Sequence, residues 1–304
     1  MHAQCTDTVV MVRPVDFAWN EQTAADNEFQ QQPRDATQTR LQALAEFDAA
    51  VTALQRAGVR VLVLEKDPDL APQPDAVFPN NWFSVWPDGR VVLYPMRTPN
   101  RRREVRPDAL QTLFNTLPFT VRCEPLAAAP GLALEGTGAL VFDHLNKIVY
   151  AARSERCDSL LAQQHAQQLG YQLLAFDTCS SAGRAFYHTN VVLSVGEQFA
   201  VIASAAFSDA QERAQVLARL RRDKRDVIEV DLRQTEQHFC ANVLQLRTRD
   251  DRRVIVMSHS AMAGFTPAQR DCLAQHGDLL ALTIPTIERV GGGSSRCMVA
   301  EVFY

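Results

Sequence analysis

The chain lacks any basic excess: across 304 residues, 31 lysines and arginines meet 35 aspartates and glutamates, for a formal charge of -4. Concentrated positive charge is confined to Arg101–Arg103 and to the stretch 219–225, so no nucleic-acid partner is expected. No apolar run approaches the roughly 20 residues that span a bilayer. The first residues, with Gln4 and Asp7, do not make the apolar core of a secretion signal. The expectation is a cytoplasmic protein that meets no membrane. Cysteine is sparse and unpatterned: there are seven, an odd number, and no CxxC pair, which supports neither a zinc ribbon nor a disulfide framework. Apolar residues, at 46%, are ample for a core, and no linker interrupts the chain, so one domain over residues 1–304 is expected.

What the chain does have is a repeat. A small or polar residue followed by a strand-like run recurs at Asn81 (NWFSV), Gly138 (GALVFD), Asn190 (NVVLSV), Asn242 (NVLQL) and Cys297 (CMVAEVF), at intervals of 52 to 57 residues. Behind four of these runs a turn such as Pro87-Asp88-Gly89 leads into a second apolar run, the pattern of a β-hairpin. Each hairpin is followed by a helix-like segment and a further strand: Pro107–Leu117 then Thr120–Cys123, Asp158–Leu169 then Tyr171–Phe176, Asp209–Arg221 then Val227–Val230, and Pro267–His276 then Leu279–Ile284. Ala36–Ala57 with Val59–Leu64 makes a fifth such pair, and Thr8–Val12 can supply the strand that the fifth hairpin lacks. The fold class predicted is α/β: a five-bladed pseudo-symmetric propeller of ββαβ units closed by the N- and C-terminal strands.

If the units are equivalent, the residues that open each first strand point into one shared cavity. Three positions near those openings carry chemistry: Glu135 in LALEGTGAL, His188 in FYHTNVV, and Cys297 behind Gly291-Gly292-Gly293. Consecutive glycines let another molecule approach the backbone closely, so a cysteine just beyond them can face a ligand. The trio permits nucleophilic catalysis in which a thiolate attacks an electrophilic carbon, His188 moves protons to the leaving amine and from water, and Glu135 orients the imidazole. This chemistry calls for no metal and no other cofactor. A free cysteine is mostly thiol at neutral pH, so a nearby imidazolium or a cationic substrate must favour the thiolate.

These residues resemble the guanidine-modifying superfamily, the penteins, which includes arginine deiminases, dimethylarginine dimethylaminohydrolases and amidinotransferases. The resemblance is greatest to its bacterial citrulline-utilisation hydrolase branch. It covers essentially the whole chain, through MVRPVDFAWN, TAADNEFQ, DAVFPNNWF, YPMRTPNRRREV, LEGTGALVFD, ARSERCD, FYHTN and GGGSSRC. It implies that Glu135, His188 and Cys297 are the catalytic trio and that Arg101 and Arg156 hold the substrate's α-carboxylate. It also implies that Asp75, Asn80 and Asn81, with Asn20, grip the substrate. The partner implied is a small amino acid, and a homodimer is allowed.

One departure bears on the substrate. Dimethylarginine hydrolases carry acidic residues where Asn80 and Asn81 stand. A guanidinium offers only donors and suits carboxylates, whereas a neutral ureido group also offers a carbonyl oxygen and suits an amide. The asparagines therefore favour citrulline, hydrolysed to ornithine, ammonia and carbon dioxide through an S-carbamoyl enzyme; Pro79-Asn80-Asn81 is equally good turn chemistry. The competing readings are an arginine or methylarginine hydrolase, an amidinotransferase, and a non-enzymatic propeller that binds through its surface, as a ribosome anti-association factor does.

Overall fold

A computed structural model describes residues 3–67, 69–222 and 224–304. Among them lie five three-stranded sheets: 83–85 with 90–93 and 122–125, 141–143 with 148–152 and 172–176, 193–195 with 199–202 and 226–229, 244–247 with 253–258 and 278–282, and 300–301 with 8–12 and 60–64. In every sheet the central strand pairs antiparallel with the first strand and parallel with the third. A parallel neighbour needs a crossover. The segments Ala36–Arg56, Pro107–Phe114, Ser159–Leu169, Ala210–Arg222 and Pro267–Ala274 provide it as helices. The fifth sheet joins the two ends of the chain, with Val9 opposite Glu301 and Val10 opposite Ala300.

Local chemistry sets these boundaries. Ala36–Arg56 starts where the Asp35 side chain accepts from the Gln38 amide, and it buries Thr39, Ala43, Phe47, Ala50 and Leu54 at helical spacing. Ser159–Leu169 starts on the Asp158 cap and ends at Gly170 in the left-handed conformation. The central strands, such as Val9–Val12 and Ala200–Ile202, are buried on both faces and therefore read as continuous apolar runs. Among the described residues no helix is long and apolar enough to cross a membrane.

The structure corrects one detail of the repeat. The first strands begin at Phe83, Val141, Leu193, Leu244 and Ala300, two or three residues beyond the residues expected to open them. The opening residues occupy short turns: Pro79–Asn81 and Thr189–Val191 are single 3₁₀ turns, Gly136–Ala139 is a short helix, and Cys297 donates its amide to the Ser294 carbonyl in a turn of its own. A residue on a strand must point to one of the two sheet faces. A residue in a turn at the strand's end is free of that alternation and can turn its side chain out of the sheet. First strands of neighbouring sheets also touch, 141–143 against 193–195 and 193–195 against 244–247, and Val85 bridges to Val302.

Candidate active site

The turn residues converge as the repeat requires. A Cβ added to Gly138 would lie 2.4 Å from Asn81 Nδ2 and 2.8 Å from His188 Nδ1, so the absent side chain is what lets those two groups approach. Asn190 and Asn242, from the next two units, bring their amides to 3.6 and 3.4 Å from Cys297 Sγ. Cys297, His188, Asn81, Asp75, Arg101 and Arg156 line a single narrow cavity together with Tyr187, Gln30, Asn27, Phe78 and the 291–293 glycines. Gly292, at φ 63°, closes the helix Pro285–Gly291, and a Cβ there would lie 2.7 Å from Asn27 Nδ2.

Glu135 is fully buried and heavily bonded. Its Oε1 accepts from the Arg97 amide at 3.1 Å and its Oε2 meets His188 Nε2 at 2.9 Å, with Arg156 Nη1 3.6 Å away. Burial alone would push this carboxyl up; Arg156 first, then the His188 hydrogen bond, overcome that and hold it well below the usual carboxylate range. For His188 the balance goes the other way, because burial pulls the imidazole down and the Glu135 hydrogen bond recovers only part of the shift. Burial likewise pushes the Cys297 thiol up, against the Ser294 amide and the Asn242 side chain. The pair therefore rests as a neutral thiol and a neutral imidazole at neutral pH.

Asp75 is also buried, and burial raises its pKa against Arg101 and against the hydroxyl of Thr23 and amide of Asn20 that bond it. Both of those bonds go to Oδ2, at 2.6 Å from Asn20 Nδ2 and 2.8 Å from Thr23 Oγ1, and Oδ1 has no protein partner. Asn20, expected to touch substrate, is thus placed behind Asp75 and outside the cavity wall. Asn80 stands behind the wall too. It accepts from Asn81 Nδ2 at 2.9 Å, and its own Nδ2 is buried without an acceptor. The Asn81 oxygen takes a hydrogen bond from Arg101 Nη1, so the amide that faces the cavity is bonded at both ends.

The two arginines are held differently from the expected carboxylate clasp. Arg101 spends Nε and Nη2 on Glu104, with Nη2 also reaching the carbonyls of Asp75 and Phe78. Arg156 pairs Nε and Nη2 with Asp26 and lies over the Tyr187 ring at 4.9 Å, while the Tyr187 hydroxyl donates to the Gly292 carbonyl at 2.6 Å. Asp26 also pairs with Arg97. Sequence reasoning missed Asp26, Tyr187, Glu104 and Gln30 as parts of the site. It placed Asn190 and Asn242 in the repeat without seeing that their equivalence to Cys297 brings them against its sulfur.

Five sheets of one topology around a buried cysteine, histidine and glutamate define a class, the guanidine-modifying pentein superfamily, whose hydrolases cleave carbon-nitrogen bonds in amidines. Within it, residues 13–304 match the family model for eukaryotic N,N dimethylarginine dimethylhydrolase, and the chain belongs to that family. Solved structures agree on the fold. The apo form of ArgZ, an arginine dihydrolase from the ornithine-ammonia cycle in cyanobacteria, superposes with a TM-score of 0.76 at 16% identity, over 97% of this chain and 40% of that one. The N-terminal domain of ArgZ bound to its substrate gives 0.72 at 17% identity and is covered over 98% of its length, as against 97% of this chain. A dimethylarginine dimethylaminohydrolase captured as an adduct with S-methyl-L-thiocitrulline gives 0.65 at 15%, covering 98% of this chain and 99% of that one. No curated protein sequence matches the chain.

Proposed function

We propose that residues 1–304 form one catalytic domain, a closed five-bladed propeller, in which Cys297 attacks the guanidino carbon of arginine or a methylated arginine. The observation that carries this reading is Asp75 Oδ1, a buried carboxylate oxygen on the cavity wall with no partner. Arg101 pairs with Glu104 and Arg156 with Asp26, both also face Glu135, and no arginine among the described residues bonds the Asp75 side chain, so the buried carboxylates around the cavity outnumber the arginines that face them. A guanidinium brings both the donors and the positive charge. That same charge favours the thiolate in a site whose resting thiol and imidazole are neutral. The thiol proton passes to His188 as the thiolate adds to the carbon, and His188 then delivers that proton to the leaving ammonia or methylated amine, giving an S-amidino enzyme. Water, deprotonated by His188, then adds; expulsion of the thiolate leaves citrulline. Glu135 fixes the ring throughout, and Arg156 Nη1 remains to meet a substrate carboxylate.

A second reading, hydrolysis of the citrulline ureido group, is favoured by Asn81, an amide on the cavity wall that gives one N–H to Asn80 and keeps a second for a ureido oxygen. The two separate in one assay of arginine, N,N-dimethylarginine, citrulline and agmatine, with ornithine, citrulline, dimethylamine, putrescine and ammonia quantified. A guanidino substrate should have the highest kcat/KM. A higher value for citrulline than for either guanidino amino acid overturns the first reading in favour of the second.

A further inference from the structure

We propose that Asp226, Cys272 and His276 form a binding site for one zinc-type divalent ion at the rim of the molecule. None of the three lines the catalytic cavity. One ligand atom from each lies within 4.8 Å of the other two, and His276 Nε2 meets Asp226 Oδ2 at 2.9 Å. Cys272 belongs to the helix Pro267–Ala274. His276 continues the winding, since its amide bonds to the Leu273 carbonyl at 2.9 Å, which sets the two on one face four residues apart. Asp226 comes from the neighbouring sheet, as the first residue of its outer strand. The imidazole is held in place: its ring stacks on Phe199 at 5.4 Å, and its backbone carbonyl accepts from Gln245 Nε2 at 2.8 Å. A held ring is what a metal ligand needs from its surroundings.

Around tetrahedral zinc the ligand atoms stand roughly 3.3 to 3.8 Å apart, so the three side chains need shift by only about 1 Å to close on an ion. Asp226 is exposed and free to make that shift. One thiol, one imidazole and one carboxylate form a borderline-soft set that suits zinc rather than magnesium or calcium, with water in the fourth position. Binding displaces the thiol proton to solvent and changes no oxidation state. The plainer alternative, a His276–Asp226 surface ion pair beside an idle thiol, gives the sulfur no role. The ion would tie together the rims of two consecutive sheets, and because it binds only the folded chain it would raise Tm.

The test uses the full chain as Cys297→Ala, which removes the catalytic thiol as a rival ligand, titrated with Co²⁺ as a spectroscopic probe. Expected are one equivalent bound, a thiolate-to-cobalt absorption band in the near ultraviolet, and displacement by Zn²⁺ with a rise in Tm. Adding Cys272→Ser should abolish the band, and either that change or His276→Gln should weaken Zn²⁺ binding by roughly tenfold or more. Circular dichroism of the metal-free variants separates lost ligation from lost folding. Asp226→Asn, at an exposed position, serves as a third variant where either of the others unfolds. Absence of the band, or a band that survives Cys272→Ser, overturns the site.

Discussion

Two regions enclose the catalytic cavity, and they are built on opposite principles. The turns carrying Asn81, Gly138, Asn190, Asn242 and Cys297 hold corresponding places ahead of the five first strands. The N-terminal loop from Asn20 to Gln30 occurs once and bonds several separate parts of the site. Asn20 and Thr23 hold Asp75, Asp26 holds Arg156 and Arg97, and Asn27 and Gln30 bond the carbonyls of Gly292 and Gly291. Repetition supplies a point of convergence where polar groups meet without long side chains. The single loop supplies what a repeat cannot: unequal charge beside the cavity, with Asp26 set against Arg156 and Arg97. Under the proposed function, chemistry at the carbon belongs to the first region and the fit of the substrate to the second.

The largest test of that division is Cys297→Ala, expected to abolish turnover with circular dichroism unchanged. His188→Ala should cost roughly a hundredfold to ten-thousandfold in kcat, the usual worth of a positioned proton donor. Because burial raises the Cys297 thiol, iodoacetamide should label it slowly at neutral pH and faster as pH rises. A saturating guanidinium should bring thiolate formation down the pH scale, measured as absorbance of the thiolate near 240 nm in the His188→Ala protein. Substantial activity in the alanine variant ends the assignment.

Next in size is Asp75→Asn, which removes the charge that a guanidinium would balance. Loss of one member of a buried pair leaves the other unmatched and costs about 3 to 5 kcal/mol. A fall of roughly a hundredfold or more in kcat/KM is therefore expected for arginine, with a smaller fall for citrulline, which is neutral at the reacting end. Equal losses on both would place Asp75 in the frame rather than against the substrate. Asp26→Asn probes the loop and should be milder. It deprives Arg156 and Arg97 of their shared carboxylate without touching Cys297 or His188, so KM should rise roughly tenfold, about 1.4 kcal/mol, while kcat changes little. A kcat collapse with KM unmoved would shift Asp26 from substrate fit to chemistry.

The same two regions differ in how far they could be read from sequence. Periodicity exposes what repeats, so the hairpins, the crossover helices and the pairing of Thr8–Val12 with Ala300–Glu301 were all legible, and Glu135 and His188, singled out near the strand openings, lie 2.9 Å apart. Apart from Pro79-Asn80-Asn81, whose turn chemistry was visible, the turns before the strands were not, because a two- or three-residue offset leaves the apolar pattern intact. Nor were the short helices Leu232–His238, His259–Gly264 and Pro285–Gly291, which are too brief to show a helical period, although Asp231 and Ser258 cap the first two. Asp26 and Tyr187 left no signal because their partners, Arg156 and Gly292, are more than a hundred residues away in the chain. Arg101 is a different case. Its guanidinium is held mainly by Glu104, three residues on, a spacing that fits a local ion pair as well as it fits a surface run.

The smallest expected effect on catalysis lies outside both regions and separates stability from turnover. His165 is buried in the helix Ser159–Leu169 and bonds the Tyr94 hydroxyl at 3.2 Å, which in turn meets Ser84 Oγ at 2.8 Å. Desolvation pulls its pKa down to about 4. An unfolded histidine titrates near 6.5, so between about 4 and 6.5 the unfolded chain binds a proton that the folded chain refuses. Stability from this group is therefore complete above about 6.5 and is lost as pH falls through about 4, with a ceiling of about 3 kcal/mol. Glu104, pushed up to about 7 by burial, acts in the opposite sense, since the folded chain keeps its proton and that stability is lost as pH rises. A total stability profile mixes the two, and the difference between wild type and His165→Gln isolates the first. Urea midpoints measured from pH 4 to 7 should rise more steeply with pH in wild type than in the variant, while the pH dependence of kcat is shared by both. A variant whose kcat profile moves with its stability would show that this histidine communicates with the axis.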